Sequence, residues 1–256
     1  MKIVIIGAGN TATALGRRIR EAGHEIIQVI GRSEPHARAL AAELGCAYTI
    51  ALDQIDGSAD LYLVAIPDDA VEDLCGRLSL PGRLVTHTAG SLPTEALEKI
   101  SLRHGVIYPL QRLRKEIPEI PELPLLINGN SAETLTRIAA FASTLSDRVQ
   151  VAADGTRFGL HLAATILNNF TNHLYALTAR FCEQERLDFQ LLLPLARETV
   201  KTLDQFEPAR MQTGPAIRND RITLQNHLRK LEPYPGLQGL YEALTQSIRQ
   251  FYGIKE

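Results

Sequence analysis

The sequence has no tryptophan, two methionines and three cysteines among its 256 residues. Cys46, Cys75 and Cys182 lie far apart and form no CxxC pair. That excludes a disulfide framework and points to a reducing compartment, the cytoplasm. Neither sign of charge dominates: 27 Lys and Arg face 29 Asp and Glu, a net charge of -2. Such a balance gives no broad attraction to nucleic acid or to an anionic membrane. The seven histidines form no HExxH and no His/Cys cluster, so no dedicated metal site is expected. No leader is expected, because Met1-Lys2 runs straight into a strand-like segment. There is no low-complexity linker and no internal repeat. One stretch, Phe158 to Ala179, carries no formal charge at all. A membrane span needs about 20 mostly apolar residues. This one contains His161, Asn168, Asn169, Asn172, His173 and several threonines, so it reads as a soluble helix buried on most sides.

What is there is an ordinary globular composition, 45% hydrophobic and 22% charged. Disorder is excluded by the same figures. A chain of this length buries roughly three quarters of its unfolded surface without staples. In the first half β-rich runs alternate with helical ones. The runs are Ile3-Ile6, Ile26-Ile30, Ala47-Ile50, Leu61-Ile66, Leu84-His87, Val106-Tyr108 and Leu125-Ile127. Helical segments fall at Ala12-Ala22, Pro35-Leu44 and Ala70-Arg77, and a last unit pairs helix Ala132-Leu145 with strand Arg148-Val151. This alternation predicts βαβ units and a parallel sheet covered on both faces, an α/β fold. The Pro-rich stretch Ile117-Pro124 reads as a loop. After Asp154-Gly155 no strand is expected. Helices are predicted over Arg157-Arg180, Asp188-Phe206, Ile222-Leu231 and Leu237-Tyr252, with Pro194 either kinking the second or lying in its first turn. The expected organisation is a dinucleotide-binding domain over 1–153 and an all-helical domain over 154–256.

The first strand leads directly into Gly7-Ala8-Gly9-Asn10-Thr11-Ala12 and then a helix. GxGxxA between a strand and a helix is a dinucleotide signature. Gly7 makes the tight turn, Gly9 admits a pyrophosphate to the backbone, Ala12 holds the helix near the sheet, and the helix N-terminus faces the phosphates. Asn10 and Thr11 complete the turn. At the end of the second strand, where Asp or Glu would bind a ribose 2′-hydroxyl, stand Arg32 and Ser33. They suit a 2′-phosphate and predict NADP(H) over NAD(H), although Arg32 is also explicable as a solvated loop residue and Glu34 follows closely. Ile66-Pro67 ends a later strand beside the cofactor crevice, and Thr86-His87-Thr88-Ala89-Gly90-Ser91 ends the next. These hydroxyls and His87 are either turn chemistry or groups facing nicotinamide and substrate.

The fingerprint at residues 3–12, Val64-Ala-Ile-Pro-Asp68, His87-Thr-Ala-Gly-Ser91, Tyr108-Pro-Leu-Gln111 and Thr213-Gly-Pro-Ala-Ile-Arg-Asn-Asp220 stand together in this chain. As a set they resemble the Rossmann-like oxidoreductases whose helical C-terminal part is the domain of unknown function DUF2520. The resemblance spans essentially the whole chain. Asn219 stands where that family usually has Gly, and Tyr108-Pro109 where it usually shows His-Pro. The family is similar to the superfamily of 6-phosphogluconate dehydrogenase, pyrroline-5-carboxylate reductase and ketopantoate reductase. That likeness implies NADP-dependent oxidoreduction and a helical domain commonly used for dimerisation. In hydroxyacid-dehydrogenase relatives a Lys and a later Asn on the equivalent helix handle the proton. The resemblance puts His161 near the Lys position, with Asn168 or Asn169 as the amide.

His161, Thr165, Asn168 and Asn172 are spaced by 4, 3 and 4 and so share one helical face. A polar stripe on a buried helix is either a satisfied network or a substrate site. His161 is accordingly a proton donor or acceptor, or a hydrogen-bonded core or interface histidine. Arg218 either clamps a substrate carboxylate or pairs with Asp220, and Asp220 reads as a helix cap. The three cysteines have no basic neighbours and are not read as nucleophiles.

Two function classes follow. In one, an NADP(H)-dependent enzyme passes hydride between nicotinamide and a small carbonyl, imine or alcohol in a cleft between the domains, with His161, Asn168, Asn169, Ser91 and Arg218 at the substrate. In the other, favoured by the missing Lys, a protein binds NADP(H) without turnover as a redox sensor or scaffold. A flavin or deazaflavin role is a narrower alternative. A homodimer through residues 154–256 is expected, because an uncharged helix calls for cover.

Overall fold

The computed structural model describes residues 1–117, 119 and 122–255. Pro118, Ile120 and Pro121, within the stretch read as a loop, lie outside the described residues. The chain divides into two compact units, Met1–Asn169 and Phe170–Glu256.

The first unit is built on one eight-stranded sheet. Its strands are β1 (Lys2–Ile6), β2 (Glu25–Ile30), β3 (Ala47–Thr49), β4 (Leu61–Val64), β5 (Leu84–His87), β6 (Arg103–Pro109), β7 (Leu125–Gly129) and β8 (Val149–Val151). Their spatial order is β3-β2-β1-β4-β5-β6-β7-β8. The first six reproduce the doubly wound order 3-2-1-4-5-6, with its reversal between β1 and β4. All neighbours are parallel except β6 and β7, which run antiparallel. The expected parallel sheet thus holds one antiparallel pair. No described helix links those two strands, and a parallel return needs a crossover of a dozen residues or more.

The helices are α1 (Asn10–Glu21), α2 (Glu34–Leu44), α3 (Val71–Arg77), α4 (Ala132–Leu145) and α5 (Asp154–Ala164). Strand periodicity divides the core between the two sheet faces. Ile3, Ile5, Leu61, Leu63 and Ile127 pack with Leu15, Ile19, Leu40, Ile138 and Phe141 on one face. Val4, Ile6, Tyr62, Val64 and Val85 pack with Val71, Leu74 and Leu97 on the other. Gly16 is a close-packing position, since a Cβ there would come 2.8 Å from Leu44 Cδ1.

The second unit contains α6 (Thr171–Gln184), α7 (Leu193–Lys201), α8 (Arg221–Leu231) and α9 (Pro235–Phe251). Pro194 lies in the first turn of α7, where its missing N–H costs nothing. Among the described residues no strand follows Val151.

The long helix departs from expectation twice. It is not a continuous α-helix: Thr165–Phe170 forms a π-helical run between α5 and α6. It is not buried within the chain either. Only Arg157 and Cys182 are buried along α5, the π run and α6, while Leu162, Leu167 and Phe170 are 51%, 70% and 59% exposed. No described helix is long and apolar enough to cross a membrane.

Candidate active site

A cavity of about 790 Å³ opens at the carboxyl ends of the strands, over the β1/β4 reversal. Every residue lining it belongs to the first unit. Gly7, Gly9, Asn10, Thr11, Arg32, Ser33, Ile66 and Pro67 all line it, and so do Tyr108 and His161. Ala12 does not. It is fully buried and seats α1 on the sheet.

The glycine turn is tied to the sheet by Gly7 N–H, which donates to Ile30 O at 2.7 Å. Gly7 has φ +129, and a Cβ there would sit 2.1 Å from Ala65 O. Gly9 faces open space, so a ligand can reach its backbone. The N-terminus of α1 has no side-chain cap and no acidic residue in its first turn. Its free N–H groups and positive dipole end are left for an anion. Asn10 Oδ1 is engaged by Lys115 N–H at 3.2 Å.

At the end of β2, Glu34 is occupied. Its carboxylate accepts from Arg38 and, at 3.3 Å, from Tyr48 Oη. The Arg38 hydrogen bond is the main reason its carboxyl sits below the usual range. Arg32 has no carboxylate within ion-pair distance among the described residues. His36 and Arg77 also line the cavity, and nothing in their sequence spacing marks them. Arg77 Nη1 lies 3.2 Å from Asp73 Oδ2.

At the other end, Tyr108 Oη lies 3.0 Å from His161 Nδ1, with the rings edge to face at 5.8 Å. Burial and the Asp68 carboxylate push the Tyr108 phenol above its ordinary range. Gly90 makes room for the imidazole: a Cβ there would come 2.7 Å from both Cγ and Nδ1 of His161. Arg157, 1% exposed, anchors the base of α5. Its Nη2 donates to Leu92 O, and its Nη1 lies 2.9 Å from Asp154 Oδ1. Asp154 also accepts from Thr94 N–H at 2.9 Å and from Thr94 Oγ1 at 2.6 Å. Burial opposes the charge on Asp154, but the Thr94 and Arg157 contacts outweigh it and hold the carboxyl low.

The remaining candidates are placed differently. His87 does not face the cavity. It is 1% exposed, donates from Nε2 to Pro93 O at 3.0 Å and accepts Ala89 N–H at Nδ1. Burial lowers its pKa to about 4, so it is a neutral structural residue. Thr86 is fully buried, whereas Thr88, Ala89 and Gly90 line the cavity. Ser91 Oγ donates to Asp68, itself a lining residue. Asn168 and Asn169 do not line the cavity, and Asn168 Nδ2 donates to Asn169 Oδ1 at 3.1 Å. The polar stripe presumed unbroken α-geometry. The π run adds about one residue per turn, so the face does not continue straight past Thr165.

In the second unit, Asp220 caps α8, accepting from Thr223 N–H at 3.1 Å and from Thr223 Oγ1 at 2.8 Å. Asn219 adopts φ 52, the left-handed conformation that a Gly would take more easily. Arg218 is exposed beside this cap. All three thiols are free, and burial pushes the Cys46 thiol up to about 11, against any nucleophilic role. Among the described residues no group of three metal-ligating side chains occurs.

Residues 2–89 match the family described as NADP oxidoreductase coenzyme F420-dependent, and residues 123–248 match the domain of unknown function DUF2520. A candidate NADP oxidoreductase from Bacteroides fragilis is 41% identical, with a TM-score of 0.92 over 97% of this chain and 98% of that one. The chain belongs to this NADP oxidoreductase family. A Thermotoga maritima protein is 23% identical with a TM-score of 0.70 over 98% of both chains. An imine reductase from Myxococcus stipitatus, solved with NADP+, is 17% identical with a TM-score of 0.65 over 98% of this chain and 93% of that one. The last two share the fold. No curated protein matches the chain significantly.

Proposed function

We propose that this protein binds NADP(H) in the cavity and passes hydride between it and a small carbonyl, imine or alcohol. The observation that supports this reading most is that one cavity holds both the glycine turn and the Tyr108–His161 pair. The site suits the dinucleotide: Gly7 forms a cradle that a Cβ would fill, Gly9 is open, and the α1 N-terminus is uncapped. When bound, the cofactor supplies or accepts the hydride. Gly9, Asn10 and Thr11 hold the pyrophosphate with backbone N–H groups. Arg32 and Ser33 hold the 2′-phosphate, and Ile66 and Pro67 pack beside the cofactor. Tyr108 and His161 handle the proton that accompanies reduction of a carbonyl, along the 3.0 Å hydrogen bond they share. Ser91 acts through Asp68, the lining residue it bonds, while Asn168, Asn169 and Arg218 lie outside the cavity and take no part in this reading.

We also assign residues 1–153 to cofactor binding and 154–256 to substrate binding and dimerisation. The support for a homodimer is the exposure of the apolar side chains Phe158, Leu162, Ile166 and Leu167 along α5 and the π run. Three free thiols and the near-neutral charge support a cytoplasmic protein without nucleic-acid partners.

The test is NADPH oxidation on a panel of small aldehydes, ketones and cyclic imines, with Tyr108→Phe and His161→Ala as controls. Turnover that falls by about 10²-fold or more in the variants, with NADPH still bound, supports the reading. NADPH binding without turnover on any substrate returns the chain to the non-catalytic sensor. Light scattering that gives a monomer at micromolar concentration removes the dimer.

A further inference from the structure

The two ends of the cavity differ electrically. Arg32 follows β2 and Tyr108 lies in β6, four steps apart in the order β2-β1-β4-β5-β6. At about 4.8 Å per step this is about 19 Å, more than twice the screening length of about 8 Å at physiological salt. The Tyr108 end therefore does not feel the Arg32 charge. Arg77, the other arginine of the lining, is neutralised by Asp73. Arg157 lies behind the wall, buried and paired with Asp154.

Asp68 stands at this end. It lines the cavity and accepts a hydrogen bond from Ser91 Oγ, next to the Gly90 that receives the His161 ring. Among the described residues no Lys, Arg or His lies within 4.0 Å of its carboxylate. Asp69 adds a second carboxylate to the same lining. The end beside Tyr108 and His161 thus carries the Asp68 carboxylate, and the lining offers it no Lys and no Arg other than the distant Arg32 and the paired Arg77. A substrate carboxylate would be repelled there, and a neutral carbonyl would leave the Asp68 charge unanswered.

We infer that the substrate is a cation at its reacting nitrogen, an iminium that is reduced to the neutral amine, and that Asp68 is the group that selects it. The inference rests on the NADP(H)-linked hydride transfer proposed above and narrows its substrate. The reaction balances without an added partner. Hydride from NADPH forms the new C–H bond at the iminium carbon, the C=N π pair becomes the nitrogen lone pair, and NADP+ is released.

Two probes separate charge from proton supply. 1,2-Dimethyl-1-pyrrolinium is a permanent iminium whose reduction needs no proton, and 2-methylcyclopentanone is its neutral counterpart. 1,1-Dimethylpyrrolidinium cannot be reduced and reports binding alone, by calorimetry on the full chain saturated with NADPH. The expected result is reduction of the iminium in preference to the ketone. Asp68→Asn should weaken 1,1-dimethylpyrrolidinium by about fivefold and lower kcat/KM for the iminium to match, with NADPH affinity held within about twofold. Asp68→Glu should restore most of the loss. Glu72→Gln, on the exposed side of α3 and outside the cavity, should change neither. Salt should weaken the cation on the unaltered protein and spare the ketone, which tests the charge even if the Asn variant fails to fold.

Preference for the ketone, or equal cation binding in Asp68→Asn, overturns the inference while leaving hydride transfer standing. Lost NADPH affinity in Asp68→Asn with the iminium preference kept also overturns it and assigns Asp68 to the cofactor. Failure of the unaltered protein to bind NADPH sinks the underlying function and this inference with it.

Discussion

Arg32→Ala is the substitution that most directly tests how the cavity reads its cofactor. Arg32 lines the cavity at the end of β2 and carries an uncommitted guanidinium, because Arg38 and Tyr48 engage the adjacent Glu34. A hydrogen bond to a charged group contributes about 1.5–3 kcal/mol. Arg32 is on an open rim, where water and salt weaken the interaction, so the lower end of about 1.5 kcal/mol applies. That is about tenfold in Kd, since each 1.4 kcal/mol is a factor of about ten. The effect belongs to the 2′-phosphate and is absent from NADH. Fluorescence titration is the assay, and the absence of tryptophan leaves the nicotinamide emission nearly free of protein background. The unaltered protein should prefer NADPH. Arg32→Ala should weaken NADPH by about tenfold and NADH by less than about twofold. Raising salt from about 0.01 M to about 0.15 M should shrink the preference of the unaltered protein more than that of the variant. Equal loss of both dinucleotides would make Arg32 an adenosine or loop residue. No loss of either would refute the phosphate assignment.

Further outcomes follow from the same geometry. His87 is buried neutral with its pKa lowered to about 4, against 6.5 when unfolded, so the unfolded chain binds more protons between those values. Its contribution is complete above pH 6.5 and is lost as pH falls towards 4, by about 3 kcal/mol in all. Thermal midpoints across that window should fall steeply for the native chain and less for His87→Gln, and parallel curves would contradict the linkage. Gly90→Ala puts a methyl 2.7 Å from the His161 ring and forces it off the 3.0 Å bond to Tyr108. The expected cost is about 10²-fold in kcat, with NADPH affinity changed by less than about threefold. Undiminished kcat would show that the pair is not used. Gly7→Ala combines a positive φ with a Cβ 2.1 Å from a backbone oxygen that cannot step aside. It should cost about 3 kcal/mol or more and lower Tm by roughly 6 °C or more, read by calorimetry.

The βαβ half of the fold was legible because it rests on local rules. Ile3 and Ile5 face one side and Val4 and Ile6 the other, Gly7 needs its positive φ, and β1, β2, β4 and β7 each lead into a helix. The β6–β7 reversal was not legible. Strand pattern reports burial and not direction, and among the described residues no helix lies between Tyr108 and Leu125 to carry the chain back for a parallel return. The expected boundary at residue 153 marks where the strand pattern stops. The compact first unit runs on to Asn169, and within it Arg157 is bonded to Leu92 O while His161 sits against Gly90. Burial of the long helix was inferred from its lack of charge, yet the single chain leaves Leu167 and Phe170 open. Missing charge shows that a surface is apolar and does not say which molecule covers it.

The Tyr108–His161 end of the cavity shows why spacing alone is a poor guide to the site. His161 is the first member of the α-helical polar stripe and stands near the family's Lys position, but the stripe bends away at the π run. What places His161 in the cavity is a set of contacts distant in sequence. Gly90 lacks the side chain that would exclude the ring, Tyr108 supplies the hydrogen bond, and Arg157 fixes the first turn of α5 to the loop after β5. Tyr108 stood out only as a departure from the family's usual His-Pro. Its partner lies 53 positions away, beyond the reach of any helical or strand period. His87, in the motif that looked chemically richer, was drawn inward by Pro93 O and Ala89 N–H instead. A histidine at the end of a parallel strand turns to the crevice or to the core according to which side finds a partner. Here the Pro93 carbonyl lies six residues on, so the loop's own backbone claims the ring and leaves the crevice to residues from β6 and α5.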